Sequence, residues 1–186
     1  MSVQIDRRIF SVDDFYRMVE VGLLREDERV ELIEGELIRM SPIGSRHAGC
    51  VMRLNALFSQ RAGGAAIVLV QSPVRLSDLS EPQPDVALLK PRAHFYAARH
   101  PTPADALLIV EVADTTIGYD RVVKVPLYAR AGVPEVWVVD LENEVVETHA
   151  QPREGEYASH ERAVRGGTFE CLALEGARVA VDDILG

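Results

Sequence analysis

The sequence predicts a mixed α/β fold: a central sheet of parallel and antiparallel strands flanked by helices, with an N-terminal helix and hairpin and further strands at the C-terminus. Three observations carry that expectation. Over residues 45–140 the patterns run helix, strand, strand, strand, helix, strand, the alternation of a layered α/β structure. Residues 107–114 (LLIVEVAD) and 135–140 (EVWVVD) are aliphatic and β-branched runs of buried-strand type. A helical stretch over about 119–131 lies between them, which implies a right-handed crossover and a parallel pair.

Taken in order, Ser11 is placed to cap a helix, with Asp13 and Asp14 in its first turn. Phe15, Met18, Val19 and Leu23 would form its apolar face, and Gly22 would end it. Residues 29–40 alternate as two short strands with a turn at Glu34-Gly35. Residues 45–61 turn helical, with Ala48, Val51, Met52, Leu54, Ala56, Leu57 and Phe58 in a broad apolar stripe, stopped by Gly63-Gly64. Residues 65–70 form a strand interrupted by Ser72-Pro73, and 74–76 would resume the pairing. Residues 86–89 are the next strand, followed by a proline-containing connection over 90–105, a length at which loops often carry function. Asp114-Thr115-Thr116 is a capping stretch. In the helix that follows, Pro126 predicts a kink or a distorted first turn, and Gly132 ends it. After the 135–140 strand come a strand at 145–149, a polar hairpin or loop over 151–167, and last strands at 169–174 and 179–181.

With 186 residues, 47% of them apolar and 26% charged, the chain suits one globular domain spanning 1–186. Its apolar runs are too short to cross a bilayer, and residues 1–15 hold no apolar signal-peptide core. A cytoplasmic location, no membrane association and no organic cofactor are expected. Cys50 and Cys171, the two cysteines, have no zinc-finger spacing. The net charge of −9 is unevenly spread. Residues 37–77 carry Arg39, Arg46, Arg53, Arg61 and Arg75 and no acid, whereas residues 135–186 carry a net −8. A second acid-free segment, 90–100 (KPRAHFYAARH), is also basic. Arg46, Arg53, Lys90 and Arg92 are therefore the candidate nucleic-acid contacts.

The chemistry centres on Glu111, a carboxylate inside the aliphatic run 107–114. A charge in such a strand is costly unless something pairs with it. Alternation puts Leu107, Ile109, Glu111 and Ala113 on one face and Leu108, Val110 and Val112 on the other. Asp85, in Pro84-Asp85-Val86, opens a neighbouring strand, and the two acids can converge on a hard cation such as Mg²⁺ or Mn²⁺. Lys90 and Lys124 are the only lysines, and Lys124 lies on the helix that returns beside Glu111, one turn from Asp120. A bound metal, an activated water and a lysine are the parts of a phosphodiesterase. Each residue also has a plainer role: Lys124 as an exposed partner of Asp120, Glu34 as a turn residue, His47 as a surface or cap residue, Tyr128 and Trp137 as core. Paired carboxylates acting on a glycosidic bond would leave Lys124 without a task.

The ordered phrases 31–37 (ELIEGEL), His47 near a helix start, Pro84-Asp85-Val86, 111–116 (EVADTT), Asp120…Lys124…Tyr128 and 132–137 (GVPEVW) resemble the widespread bacterial family described as "putative restriction endonuclease", within the PD-(D/E)XK nuclease superfamily. The resemblance runs from about Phe10 to the C-terminus. It implies a restriction-endonuclease-like core, Mg²⁺- or Mn²⁺-dependent endonuclease activity on DNA, and a homodimer. It also implies Asp85 and Glu111 as catalytic acids and metal ligands, with the Val112 backbone carbonyl as a further ligand. The superfamily's lysine, two residues after the second acid, would fall on Ala113, so the resemblance moves that role to Lys124. Glu34 and His47 match family positions as accessory residues. The competing expectation is a nuclease-fold module without useful catalysis that binds a protein partner or self-associates.

Overall fold

A computed structural model describes residues 7–25, 27–174 and 177–186. Helix α1 (Val12–Glu20) begins with a capping box: Ser11 Oγ accepts the Asp14 N–H at 3.1 Å, and Asp14 returns a carboxylate to the Ser11 N–H at 3.0 Å. Gly22, at φ 73°, turns the chain out of it. Leu23 is 71% exposed and does not join the apolar face assigned to it. Strands β1 (Val30–Ile33) and β2 (Glu36–Arg39) form the expected hairpin, with Glu34 and Gly35 both at positive φ in its two-residue turn.

Helix α2 (Ser45–Arg61) buries Cys50, Val51, Leu54, Leu57 and Phe58. Met52 is 66% exposed, so the stripe is narrower than its sequence pattern suggests. Strands β3 (Ile67–Val70), β4 (Val86–Leu89), β5 (Ala106–Ala113), β6 (Glu135–Asp140), β7 (Val145–Arg153) and β8 (Glu156–Val164) form one six-stranded sheet in that spatial order. Only β5 and β6 are parallel; every other neighbouring pair is antiparallel. This is the predicted mixed sheet with its single crossover. Residues 74–76 do not resume a strand. Their segment folds as a narrow loop, with Val74 N–H on Pro82 O and Leu76 N–H on Ser80 O, and a bridge from Glu81 to Leu32 ties it to the hairpin.

The crossover is a three-part helix: α3 (Ile117–Tyr119), a π-helical turn (Asp120–Lys124) and α4 (Val125–Ala131). Pro126 sits in the first turn of α4, where the expected distortion takes the form of the wider turn before it. Gly132, at φ 80°, closes α4. The polar stretch after residue 150 is the β7–β8 hairpin, longer and more regular than its composition implies. Strands β9 (Thr168–Cys171) and β10 (Ala177–Ala180) pair separately, and a final helix α5 (Val181–Leu185), absent from the sequence reading, packs on α2.

The sheet is covered on both faces. On one, α2 and the C-terminal elements bury Leu54, Phe58, Leu88, Val110, Trp137 and Phe169 in a common core. On the other, α4 brings Val125, Tyr128 and Ala129 onto Ala87, Ile109, Val136 and Val138. The β4–β5 register slips between Leu88 and Leu89, leaving Leu107 as the extra residue. Leu107 therefore packs on the α2 side beside Leu108, and the predicted alternation holds only from Leu108 onward. No described helix is long and apolar enough to cross a membrane.

Candidate active site

The site lies where β4 begins and β5 ends. Val86 pairs with Val110, so the next antiparallel step sets Asp85 opposite Glu111, with both side chains on the α4 face. Asp85 closes that end of the sheet: its Oδ2 accepts the Val112 N–H at 2.8 Å and lies 3.1 Å from His47 Nε2, and its Oδ1 accepts from Gln71 Nε2 at 3.2 Å. A strand residue points its N–H and C=O to the same side, so the Val112 carbonyl also faces this edge.

Glu111 is 3% exposed, and its Oε1 accepts the Tyr128 hydroxyl at 2.6 Å. Lys124, on the π-helical turn, is 5% exposed and places Nζ 3.2 Å from Glu111 Oε1 and 3.2 Å from Glu31 Oε2. Asp120, buried one turn earlier, accepts from Thr116 Oγ1 at 2.8 Å. Glu31, Asp85, Glu111, Asp120 and Lys124, with His47, line one pocket of about 350 Å³ whose outer wall is β2 and the loop after it.

Burial dominates the electrostatics. It pushes Glu111 up to about 8; Lys124 opposes the shift, and Asp120, Asp85 and Glu31 reinforce it. Asp120 is raised mainly by the same loss of solvent, against the pull of Lys124. For Lys124 burial works downward, but Glu111, Glu31 and Asp120 outweigh it and hold the ammonium well above its usual range. His47 is raised, first by its bond to Asp85.

The model of the Uma2 family, described as "Putative restriction endonuclease", matches residues 12–182. The chain belongs to the Uma2 family. A crystal structure of a "putative nuclease belonging to DUF820" from Anabaena variabilis ATCC 29413 shares the fold, with a TM-score of 0.69 over 95% of this chain and 97% of that one, at 12% sequence identity. No curated relative matches the chain.

In this Uma2 chain, Asp85, Glu111, Lys124 and His47 come together as the sequence order implied. Glu34 does not. It stands at φ 50° in the hairpin turn, its side chain 61% exposed, and pairs with Arg130 at 2.8 Å. The acid that the hairpin delivers to the site is Glu31. Its sequence signal, a charge inside the apolar phrase Val30-Glu31-Leu32-Ile33, is the one that singled out Glu111. Tyr128 is core, as read, but its hydroxyl is a site group.

The basic residues divide. Arg46 stands on the rim, reaching Asp114 Oδ1 at 3.4 Å and Leu141 O at 2.5 Å. Arg53 instead donates to Ile184 O and Leu185 O, at 2.8 and 2.6 Å, and so fastens α5 to α2. Lys90 follows β4 at its far end, roughly 16 Å from Asp85 at about 3.3 Å per strand residue. There Lys90 bonds Ala104 O, and Arg92 and Arg99 converge on the buried Asp105, which also accepts from Thr102. Those cations organise their own loop, away from the pocket.

Two features fit a divalent cation at Asp85 and Glu111. Both supply hard oxygen ligands, and the Val112 carbonyl faces the same edge. Four buried carboxyl groups, Glu31, Asp85, Glu111 and Asp120, crowd one buried ammonium, and a cation among them would favour their ionised forms. Among the described residues no three His, Cys, Asp or Glu side chains converge as a ready-made chelate, so an ion here would rest on the two carboxylates, the Val112 carbonyl and water.

Proposed function

We propose that this Uma2 chain is a divalent-metal-dependent endonuclease that hydrolyses phosphodiester bonds of DNA. The observation that carries the reading is Lys124: a buried ammonium held by two carboxylates, in the pocket that also receives Asp85. An isolated buried lysine is costly, and fixing one beside an acid pair is a usual mark of a functional site.

Asp85, Glu111 and the Val112 carbonyl would hold Mg²⁺ or Mn²⁺, which supplies Lewis-acid stabilisation of phosphoryl charge and an acidified water. The chain's own groups then have separate tasks. Lys124 pairs with Glu31 and Glu111 at 3.2 Å each and lines the pocket, where its ammonium would hold a non-bridging phosphate oxygen or orient the attacking water. The Tyr128 hydroxyl fixes the Glu111 carboxylate, and His47 with the Val112 N–H fixes Asp85. Arg46, on the rim, meets the phosphates on either side of the cut.

The test is cleavage of DNA by purified protein with Mg²⁺ or Mn²⁺, repeated with Asp85→Ala and Lys124→Ala. Loss of cutting in both variants supports the assignment, and robust cutting by both refutes it. A second reading, a nuclease-fold module without useful catalysis, draws on Glu111 Oε1 being already engaged by Tyr128 and Lys124. Calorimetric titration separates the two: absence of Mn²⁺ binding at millimolar ion favours the module.

A further inference from the structure

We infer that the pocket takes an unpaired DNA strand rather than a continuous duplex. The inference rests on the nuclease reading for its chemistry, and on the depth of the pocket for its substrate. Glu111 and Lys124 are 3% and 5% exposed, and Asp85 is 8% exposed. They form a floor, and the phosphate must come down to it.

The segment β2 to Gly44 stands as a wall over that floor, presenting Ile38, Met40 and Ile43 to the cavity. The cavity, about 350 Å³, is at the small end of the range of ~300–1,000 Å³ that encloses a single small ligand. That space suits one nucleotide unit at a time. In a B-form duplex each phosphate is flanked along its strand and backed by a paired base, so lowering one to Lys124 drives its neighbours into the wall. A strand without a partner can bend there. Enzymes whose target atoms lie in enclosed pockets meet this constraint by acting on single strands or by everting the nucleotide.

The chemistry of the wall agrees. A duplex presents phosphates outward, whereas an unpaired strand also exposes base and sugar faces. The wall meets these with aliphatic and thioether surface, and Ile43 is 42% exposed. The cations near the mouth are local: Arg39 and Arg46 are largely exposed. A strand entering the pocket needs only these rim cations.

The experiment uses one sequence in three forms: a single strand, a fully paired duplex, and a duplex with an unpaired flap. With Mn²⁺ the full chain should cut the single strand and the flap at least about tenfold faster than the paired duplex, with flap cuts confined to unpaired nucleotides. Fluorescence anisotropy without metal should show the single strand bound more tightly than the duplex, and Ile43→Glu should remove that difference. Equal cutting of duplex and single strand, or cutting accompanied by equal binding of the two, overturns the inference and leaves the nuclease reading standing. Selective binding of the single strand with no cleavage of any form does the reverse: the nuclease reading fails and the strand preference holds. Neither selective binding nor cleavage removes both.

Discussion

The Tyr128 hydroxyl donates to Glu111 Oε1 at 2.6 Å, and both residues are buried on the α4 face of the sheet. A buried carboxylate is thereby given a neutral donor as well as the Lys124 ammonium. Tyr128→Phe keeps the ring in the core and removes only that donor. It should cost about 2 kcal/mol, in the range for hydrogen bonds to charged groups. Urea unfolding checks this: the midpoint should fall with the slope unchanged.

Lys124 and Glu31 should behave as a coupled pair. Lys124→Met leaves Glu31 and Glu111 facing each other in the interior without their cation. The loss should be about 3–5 kcal/mol, as for a broken buried ion pair. Adding Glu31→Gln to Lys124→Met should restore part of it, because one of the stranded carboxylates is then neutral. A double-mutant cycle from the four unfolding curves measures the coupling, which should lie well outside additivity.

Acid should weaken the protein through His149, on β7, two strands from β5 in the sheet. His149 and His160 are cross-strand partners with their Nδ1 atoms 2.9 Å apart, an arrangement that needs one donor and one bare acceptor. Burial, then His160 and Arg121, lower His149 from 6.5 to about 4, with Glu147 opposing. The unfolded chain therefore takes up the proton first as pH falls. The stabilisation is complete above about 6.5 and is lost progressively down to about 4. Because His149 is only half-buried, the change should amount to about 1–2 kcal/mol after solvent screening. Melting temperatures between pH 7.5 and 4.5 should fall less steeply in His149→Gln.

Arg92→Ala should separate architecture from DNA contact. The side chain secures the buried Asp105, whose carboxyl is held well below its usual range by Thr102 and Arg92 in spite of burial. Its removal should lower stability slightly and speed proteolysis within 90–105, while DNA affinity stays near the wild-type value. Arg46→Ala should do the opposite, weakening DNA binding and leaving the melting temperature close to unchanged.

Much of this was readable in the residues, for identifiable reasons. Glu111 and Asp85 stand out because acids are rare in or beside aliphatic strands, and the parallel pair follows from the helix between two buried runs. The hairpin turn was equally clear, but not which of its acids enters the site. Glu34 precedes a glycine and matches a family position, yet the choice depends on how the hairpin lies against the sheet. That is set by the long-range Leu32–Glu81 bridge, which brings Glu31 over Lys124. The bulge at Leu107 and the tasks of Arg53 and Arg92 are likewise consequences of distant pairing. Charge counts place arginines in a segment; they do not say which carbonyl or carboxylate each will find.

The π-helical turn makes chain length itself part of the site. Such a turn holds one residue more than the α-helix it interrupts. Val122, 75% exposed at its outer edge, has no packing role to protect it from loss. Removing a single residue there would let the helix continue as ordinary α-helix while swinging Asp120 by about 100° relative to Lys124. Two charges that now share one pocket would part without either being replaced. For this stretch a deletion is a more drastic change than most substitutions.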